Sequence, residues 1–249
     1  MGSKSRIAKE IVPIIQKCIN DNCIIHYIEP FVGGGNVIDK VQCLYKYGYD
    51  LNKYLIALLR YVAEGGKLLD EVPRDLYNEV RTNKDKYADW YVGCVGFLAS
   101  VNGRFFDGGY AQPGYEKTKT GTRYRDYYQE AKRNLEKQAP DLKGTRFEVS
   151  DYIDLNPGAW QMIYCDPPYA STKKFANAQN FNYEVFWIIM RLWSKHNFVL
   201  ISEQSAPDDF VCIWEKKVNR SMNAVNKFDS TEKLFVWSKG LYADRCLKE

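Results

Sequence analysis

The sequence predicts an α/β fold in which a mixed sheet is flanked by helices and interrupted by one mostly helical insertion. Near the start, an apolar strand leads into three glycines and then into apolar residues at helical spacing, the first half of a nucleotide-binding unit. Later, a second apolar run stops at Asp-Pro-Pro, residues 166–168. Between these motifs, residues 55–145 are far more than a plain crossover between two strands requires. This middle segment is therefore predicted to be the insertion.

The individual elements follow from the spacing of apolar residues and from glycine and proline. Helical spacing of apolar residues predicts five helices: one from Ser5, and others over 37–45, 52–66, 128–138 and 181–195. A bend is predicted at Pro13 in the first helix, and two glycines end the helix over 52–66. Short β-branched and aromatic runs predict strands within 23–31, 46–52, 145–150, 161–165 and 197–202. On the helix over 181–195, both tryptophans are predicted to lie in the core.

Length and composition limit the class of protein. The chain has 249 residues, of which 45% are hydrophobic and 27% are charged, values typical of a globular protein with one large domain or one domain plus an insertion. With 35 basic and 31 acidic residues the net charge is +4, so a surface that binds polyanions must be local. Aromatic residues make up 15%, with 19 tyrosines, which suits stacking on flat ligands.

Several other classes are excluded by the sequence. No apolar run approaches the roughly 20 residues that cross a bilayer, and Lys9, Glu10 and Pro13 interrupt the first apolar stretch, so no signal peptide is predicted. The seven cysteines are scattered and form no Cys-x-x-Cys pair. This pattern indicates reduced thiols in a cytoplasmic protein and favours neither a disulfide framework nor a metal site.

The glycine cluster indicates which kind of ligand the first unit binds. Gly33, Gly34 and Gly35 allow close approach of the backbone, and Asp50, at the end of the next predicted strand, can accept hydrogen bonds from two ribose hydroxyls. The loop lacks the Lys-Ser/Thr pair of a phosphate-binding loop, and Ile38 stands where a dinucleotide fingerprint has its third glycine. An adenosine-containing cofactor without phosphates therefore fits better than ATP or NAD.

The sharpest motif is Asp166-Pro167-Pro168-Tyr169 at the end of an apolar run. Two prolines fix their φ angles and remove two N–H donors, so the turn is stiff. It holds a carboxylate, a carbonyl without a competing amide and an aromatic ring at the carboxyl end of a strand. In open α/β sheets, ligands bind at this end of the strands.

Together these motifs resemble the Dam-like DNA adenine-N6 methyltransferases of the alpha class (D12 type), most closely the phage and prophage members, which use S-adenosyl-L-methionine. The segments EPFVGGG (29–35), DLN (50–52) and DPPY (166–169) are similar to the family's cofactor loop, ribose-binding acidic position and catalytic motif. The segments GSK (2–4), SDY (150–152), ISE (201–203) and APDDF (206–210) support the resemblance. The motif order, with the cofactor loop before DPPY, is that of the alpha class.

The resemblance implies a Rossmann-like class I methyltransferase fold and a role for each matched residue. Residues 1–55 and 145–249 are expected to form the catalytic domain, with late antiparallel strands at 211–218 and 233–239, and 56–144 the target-recognition insertion. The implied catalytic residues are Asp166, Pro167, Pro168 and Tyr169. The implied cofactor-binding residues are Lys4, Glu29, Pro30, Phe31, Gly33, Gly34, Gly35, Asp50, Leu51, Asp151, Tyr152 and Asp166.

A basic, aromatic stretch inside the insertion is the candidate DNA interface. Residues 101–147 contain ten Lys/Arg and six Asp/Glu, a net +4 that equals the charge of the whole chain. Residues 102–128 resemble the target-recognition region of the family. The candidate DNA-binding residues are Asn102, Arg104, Phe105, Tyr110, Lys117, Lys119, Arg123 and Arg125.

These inferences predict a site-specific DNA adenine-N6 methyltransferase that acts on double-stranded DNA by direct transfer to a flipped-out adenine, without a metal. A monomer is expected, with a dimer on DNA as the alternative. Three other functions stay open. They are N-methylation of RNA or another planar amine, a DNA-binding homologue without activity, and a nicotinamide oxidoreductase, the last disfavoured by the missing third glycine.

Overall fold

The computed structural model describes residues 4–118, 121–168, 181–223 and 226–247. Within these ranges the helices are α1 (Ser5–Asp21), α2 (Lys53–Ala63), α3 (Arg74–Thr82), α4 (Asp89–Gly93), α5 (Tyr127–Leu142), α6 (Tyr183–Ser194) and α7 (Leu241–Cys246). The strands are β1 (His26–Glu29), β2 (Tyr45–Asp50), β3 (Gly114–Thr118), β4 (Gly121–Arg125), β5 (Arg146–Val149), β6 (Met162–Cys165), β7 (Phe198–Glu203), β8 (Phe210–Asn223) and β9 (Asn226–Trp237). No helix in the described ranges is long and apolar enough to cross a membrane.

The predicted mixed α/β sheet is confirmed. Seven strands form one sheet in the order β5-β2-β1-β6-β7-β9-β8. Strand β6 pairs in parallel with β1 and with β7, whereas β9 runs antiparallel to β7 and to β8. The late antiparallel strands that the family resemblance implied are therefore present, and they are longer than the apolar runs at 211–218 and 233–239.

The predicted helix over residues 37–45 is wrong. Residues 36–40 form turns, 41–44 have no regular structure, and β2 begins at Tyr45. Val37, Ile38 and Val41 are all buried, so the periodic apolar residues do reach the core, but from a loop. Gln16 supplies hydrogen bonds that a helix would otherwise provide, since its side chain donates to the Gln42 carbonyl and accepts from the Gln42 amide. Periodicity alone does not separate such a buried loop from a helix.

One compact unit comprises Met1–Lys9, Val32–Lys40 and Gly48–Val149. It contains α2, α3, α4 and α5, a π-helical turn over Cys94–Leu98, and the two-stranded β3-β4 hairpin. Helix α2 begins at an Asn52 cap whose side chain accepts from the amides of Tyr54 and Leu55. Tyr61 and Trp90 stack with ring centroids 3.8 Å apart, which joins α2 to α4.

The second compact unit comprises Glu10–Phe31, Val41–Tyr47 and Ser150–Glu249. Every residue of β6 and every residue of β7 is buried, as expected for strands paired on both sides. Helix α6 begins at an Asn182 cap that accepts from the Val185 amide. Its side chains Trp187 and Trp193 are each 9% exposed, so the prediction that both belong to the core is confirmed.

Helix packing in the first unit predicts a strong effect at Gly93. A Cβ added there would lie 2.2 Å from the Tyr54 carbonyl oxygen, and this backbone atom of α2 cannot rotate away. We expect Gly93→Ala to lower the free energy of unfolding by about 1–3 kcal/mol, since overpacking of a filled core costs that much. Urea titration measures the loss as a lower midpoint at unchanged slope.

The matched control is Gly114→Ala. A Cβ at Gly114 meets no atom within 4 Å, so this change is expected to stay within about 0.5 kcal/mol of the wild type. Equal midpoints for the Gly93 and Gly114 variants would show that α2 and α4 do not pack as closely as described.

Candidate cofactor and active-site residues

The glycine loop of the first unit has the conformation that its sequence predicts. Gly33 and Gly35 have φ angles of +49° and +68°, a left-handed region that favours glycine. The loop is fixed at its start, where the Val32 amide donates to the Tyr49 carbonyl at 2.8 Å, and it turns at once, because the Gly35 amide donates to the Val32 carbonyl at 2.9 Å. No atom of the described residues lies within 4 Å of the position that a Gly33 Cβ would take.

Asp50, at the end of β2, holds this loop through its carboxylate. Oδ2 accepts from the Gly33 amide at 3.3 Å, and Oδ1 accepts from the Asn52 amide at 2.9 Å. Burial raises the pKa of Asp50 above the ordinary aspartate value, and these two amides partly offset the shift. A carboxylate has about four acceptor positions, so both oxygens keep capacity for a ligand's hydroxyl groups.

Gln138 is a contact of the glycine loop that the sequence did not reveal. From α5, its side-chain amide donates to the Gly34 carbonyl at 3.2 Å and to the Gly35 carbonyl at 2.7 Å. In the sequence, Gln138 is only one polar position on a predicted helix. Because the partners are 103 and 104 residues apart, no local pattern could have identified it.

In the second unit, Tyr152 and three other aromatic rings form a cluster. Phe31 lies 5.1 Å from Tyr152, 6.0 Å from Phe181 and 6.1 Å from Phe186, measured between ring centroids. Among the described residues, the Tyr152 hydroxyl is buried and has no hydrogen-bond partner. Burial raises its pKa to about 12, with the charge of Asp151 as the next cause. An unpaired buried hydroxyl is costly, so this position favours a ligand with a polar atom beside aromatic rings.

The Asp-Pro-Pro turn follows directly after β6 in the same unit. Because β1, β6 and β7 run parallel, Glu29, Asp166 and Glu203 lie at the carboxyl ends of three neighbouring strands. Pro167 is buried and Asp166 is partly exposed. The Tyr183 hydroxyl donates to the Pro168 carbonyl, which ties the turn to the start of α6.

The neighbours of Asp166 on β6 are neutral and deeply buried. Burial, together with the charges of Asp166 and Glu29, raises the pKa of the Cys165 thiol well above its ordinary value. The same causes, burial first, raise the pKa of the Tyr164 hydroxyl. Cys165 therefore has the environment of an inert core thiol.

The other predicted cofactor residues occupy varied positions. Glu29 is 3% exposed and accepts from the Tyr27 hydroxyl at 2.7 Å. Lys4 is buried at the start of α1, and Asp151 caps a short 3-10 turn by accepting from the Ile153 amide at 3.2 Å. Pro30 is also buried, whereas Leu51 is 57% exposed. Tyr169, the last residue of the predicted catalytic motif, lies outside the described residues.

The candidate DNA-binding residues fall into two groups. Asn102, Arg104, Lys117 and Arg123 are exposed, as an interface with DNA requires. Arg125, Tyr110 and Phe105 are partly buried in contacts within the first unit. Lys119 lies outside the described residues.

The Arg125 guanidinium is already paired with two carboxylates of the first unit. Its Nη2 lies 2.9 Å from Glu130 Oε2, and its Nη1 lies 3.4 Å from Glu116 Oε2. These carboxylates raise the pKa of Arg125, with the hydrogen bond to Glu130 as the largest cause. Tyr110 is similarly engaged, because its hydroxyl donates to the Val72 carbonyl at 2.8 Å.

The described residues suit an adenosine-containing cofactor. In the first unit, no atom of the described residues fills the position beside Gly33, and the Asp50 carboxylate keeps acceptor capacity. In the second unit, taken by itself, the buried Tyr152 hydroxyl has no partner among the described residues. The sheet order, with one reversed strand near the edge, together with a glycine loop, an acidic strand end and an Asp-Pro-Pro turn, defines a class of protein, the Rossmann-like methyltransferases.

Comparison with known proteins identifies the family. The chain belongs to the D12 class N6 adenine-specific DNA methyltransferase family, whose model matches residues 1–92 and 109–193. The predicted family is therefore confirmed, and the cofactor is S-adenosyl-L-methionine. No curated protein matches the sequence significantly.

Three solved structures are similar to the chain at low sequence identity. The rRNA methyltransferase AviRa from Streptomyces viridochromogenes matches with a TM-score of 0.45 and 11% identity, over 94% of this chain and 85% of that one. PH1948 from Pyrococcus horikoshii, assigned as an RNA methyltransferase, matches with a TM-score of 0.41 and 9% identity over 93% and 81%. SMU.472, assigned as a methyltransferase and complexed with SAH, matches with a TM-score of 0.40 and 11% identity, over 94% of this chain and 52% of that one.

Proposed function

We propose that the protein is a site-specific DNA adenine-N6 methyltransferase that transfers a methyl group from S-adenosyl-L-methionine to a flipped-out adenine of double-stranded DNA. The observation that carries the proposal is the Asp166-Pro167-Pro168 turn at the carboxyl end of β6, in a chain of the D12 class. This turn offers a carboxylate and a carbonyl to one flat amino group.

Asp166 and Pro167 would act by fixing the target amine. The N6 lone pair of adenine is delocalised into the ring and is a poor nucleophile. Hydrogen bonds from N6 to the Asp166 carboxylate and the Pro167 carbonyl hold the amine for in-line attack, so that positioning lowers the barrier. Positive charge grows on N6 during transfer, and the same two acceptors stabilise it.

The cofactor, when bound, supplies an electrophilic methyl group on a sulfonium. Asp50 would hold its ribose, the Gly33–Gly35 loop would allow close approach, and Asp151 with the rings of Phe31 and Tyr152 would hold its adenine. Lys4, Glu29, Pro30 and Leu51 complete the set by resemblance to the family. Tyr169 is assigned by the same resemblance to stack on the target base. Cys165 needs no nucleophilic role, because direct transfer forms no covalent enzyme intermediate.

An adenine inside a duplex cannot reach such a turn, so the nucleotide must be flipped out at a cost of a few kcal/mol. Residues 56–144 would bind the DNA while the nucleotide is flipped out, through their exposed basic and aromatic stretch. Duplex DNA is therefore the proposed partner. The protein is proposed to act as a monomer, in the cytoplasm of a bacterium or a phage-infected cell.

The hairpin arginines yield a testable contrast. Arg123 is 70% exposed, and its ion pair to Glu130 is 3.4 Å long, whereas Arg125 is held by two glutamates. We expect Arg123→Ala to weaken DNA binding and to lower the slope of log K against log salt by about one, as the loss of one phosphate contact does. Arg125→Ala is expected to destabilise the hairpin instead. Fluorescence anisotropy at several salt concentrations and urea titration measure the two effects. Equal salt slopes for Arg123→Ala and the wild type would remove Arg123 from the interface.

Tritium transfer from labelled S-adenosyl-L-methionine tests the proposed function directly. Label is expected in duplex DNA, at N6 of adenine, and at a much lower level in RNA and in free adenine. Preferential labelling of RNA would favour the planar-amine alternative. Cofactor binding by calorimetry without transfer to any substrate would indicate a homologue without activity.

A further inference from the structure

An open pocket lies in the first unit, away from the glycine loop in sequence. Its volume is about 530 Å³, and it combines two cations, two phenyl rings and one carboxylate. The lining residues are Arg81, Lys84, Phe105, Phe106, Asp107 and Gly109. Cations beside rings suit a ligand that is both anionic and flat, and a nucleotide is the simplest such ligand.

The two cations form no close ion pair with Asp107, the carboxylate of the pocket lining. Among the described residues, no carboxylate lies within 4 Å of the Arg81 guanidinium or of Lys84 Nζ. Lys84 is nevertheless held in place, because Nζ donates to the Arg81 carbonyl at 2.7 Å and lies 5.4 Å from the centroid of the Phe106 ring. An ammonium that is fixed but not ion-paired is ready to bind a phosphate.

The loop that carries the rings is built rigidly. Ser100 Oγ accepts from the Phe106 amide at 3.1 Å and is hydrogen-bonded to the Tyr77 hydroxyl at 2.9 Å, and both bonds are buried. Phe106 has a φ of +54°, which is a strained conformation for a bulky residue. Surrounding contacts must impose this strain, and such strained residues cluster at binding and active sites. A π-helical turn, Cys94–Leu98, precedes the loop, and such turns are frequent at functional sites.

Phe105 offers a flat surface at the pocket. It packs on Tyr54 with centroids 5.3 Å apart and an interplanar angle of 20°, and against Phe97 at 4.8 Å, while it remains partly exposed. At Gly96, a Cβ would lie 2.5 Å from the Phe105 ring, so the glycine is required for this arrangement. Gly109 leaves open space at its Cβ position, and no side chain from it obstructs the pocket.

The pocket loop lies in a stretch that the family model does not match. The family model matches up to residue 92 and again from residue 109. Phe105, Phe106 and Asp107 lie in the stretch between these matches, whereas Arg81 and Lys84 lie inside the first match.

We propose that this pocket binds one unpaired nucleotide of a DNA strand, with its phosphate on Arg81 and Lys84 and its base against Phe105. Asp107 would accept a hydrogen bond from an exocyclic amino group, as acidic side chains do with cytosine N4, so cytosine is favoured over thymine. The inference rests on the proposed function only in taking DNA as the ligand.

Binding of short single strands to the full chain tests this pocket. Fluorescein-labelled dodecamers of dC and of dT are titrated with the protein, and anisotropy is measured at several salt concentrations. The wild type is expected to bind dC more tightly. The double variant Arg81→Ala/Lys84→Ala is expected to lose about tenfold or more in affinity, with a salt slope lower by about 0.7 for each lost contact. Asp107→Asn should bind dC and dT equally.

Lys86→Ala/Lys143→Ala is the matched control, because both lysines are exposed and lie outside the pocket lining. It removes the same charge and should stay within about twofold of the wild type, as surface changes do. Equal losses of dodecamer affinity in the two double variants would overturn the proposed pocket. A preference for dC that persists in Asp107→Asn would overturn the role of Asp107. Urea titration of each variant separates lost binding from lost folding.

Methyl transfer to duplex DNA, measured on the same samples, separates this inference from the proposed function. If the wild type methylates adenine while the Arg81/Lys84 variant matches its control in binding, the pocket is overturned and the function stands. If dodecamer binding depends on Arg81 and Lys84 but no adenine is methylated, the pocket stands and the function is overturned.

Discussion

Asp166→Asn is expected to lower the rate of methyl transfer to adenine by about 10²–10³-fold, the loss that follows removal of one preorganised group facing developing charge. The asparagine has nearly the same shape, so the turn fixed by Pro167 and Pro168 is retained. What disappears is a full negative charge beside the amine that becomes positive. Single-turnover transfer of tritium to duplex DNA measures the rate, and anisotropy with the same duplex should give an affinity close to that of the wild type.

The control for this change is Asp154→Asn, an exposed aspartate of the 3-10 turn in the same unit. It removes the same charge from the same half of the molecule and should leave the rate within about twofold, as surface substitutions usually do. A rate for Asp166→Asn close to that of Asp154→Asn would remove Asp166 from the catalytic residues.

Asp50→Ala is expected to weaken S-adenosyl-L-methionine binding by about 10–100-fold. The carboxylate would accept hydrogen bonds from ribose, and a hydrogen bond to a charged group contributes about 1.5–3 kcal/mol. The change also releases the Gly33 amide, which Asp50 holds at 3.3 Å. Calorimetry measures the dissociation constant, and exposed Asp85→Ala in the same unit serves as the control.

The pH dependence of binding gives an independent check on Asp50. Burial raises the pKa of this carboxyl, and in the proposed site only the ionised form would accept hydrogen bonds from both ribose hydroxyls. Cofactor affinity of the wild type should therefore be full above that pKa and fall as pH decreases through it, at a higher pH than an ordinary aspartate would give. Asp50→Ala should lack this step. The same step in wild type and variant would assign it to another group.

Motifs with rigid local chemistry could be read from the sequence. Gly33 and Gly35 have positive φ angles, which glycine favours, and the Asp-Pro-Pro turn directly follows a strand, so residue type indicated where Gly33, Gly35 and Asp166 lie in the fold. The helix predicted after the glycines failed, because Val37, Ile38 and Val41 reach the core from turns. Apolar periodicity reports which residues are buried and says less about how the backbone brings them there.

Contacts between distant residues could not be read in this way. Gln138 binds the glycine loop from a position about a hundred residues later, and Arg125 is paired with glutamates that its local sequence does not distinguish from solvated ones. Lys84 gains its fixed position from a carbonyl and a ring that only the folded loop brings near it. For such side chains, charge and polarity could be read from the sequence, whereas tertiary structure decided the partner.

Helix α5 has a consequence for engineering sequence specificity. Its first turn binds the hairpin through Glu130, and its last turns bind the glycine loop through Gln138, about 12 Å further along at 1.5 Å per residue. A chimera that exchanged the hairpin alone would place Glu130 beside a strand from another protein. A chimera that exchanged the hairpin together with α5 would also replace Gln138, which donates hydrogen bonds to the Gly34 and Gly35 carbonyls. On the proposed function, in which the hairpin contributes to target recognition and the glycine loop to cofactor binding, grafts between family members should carry 114–142 as one block and retain a glutamine at 138. Loss of that glutamine is expected to change cofactor affinity.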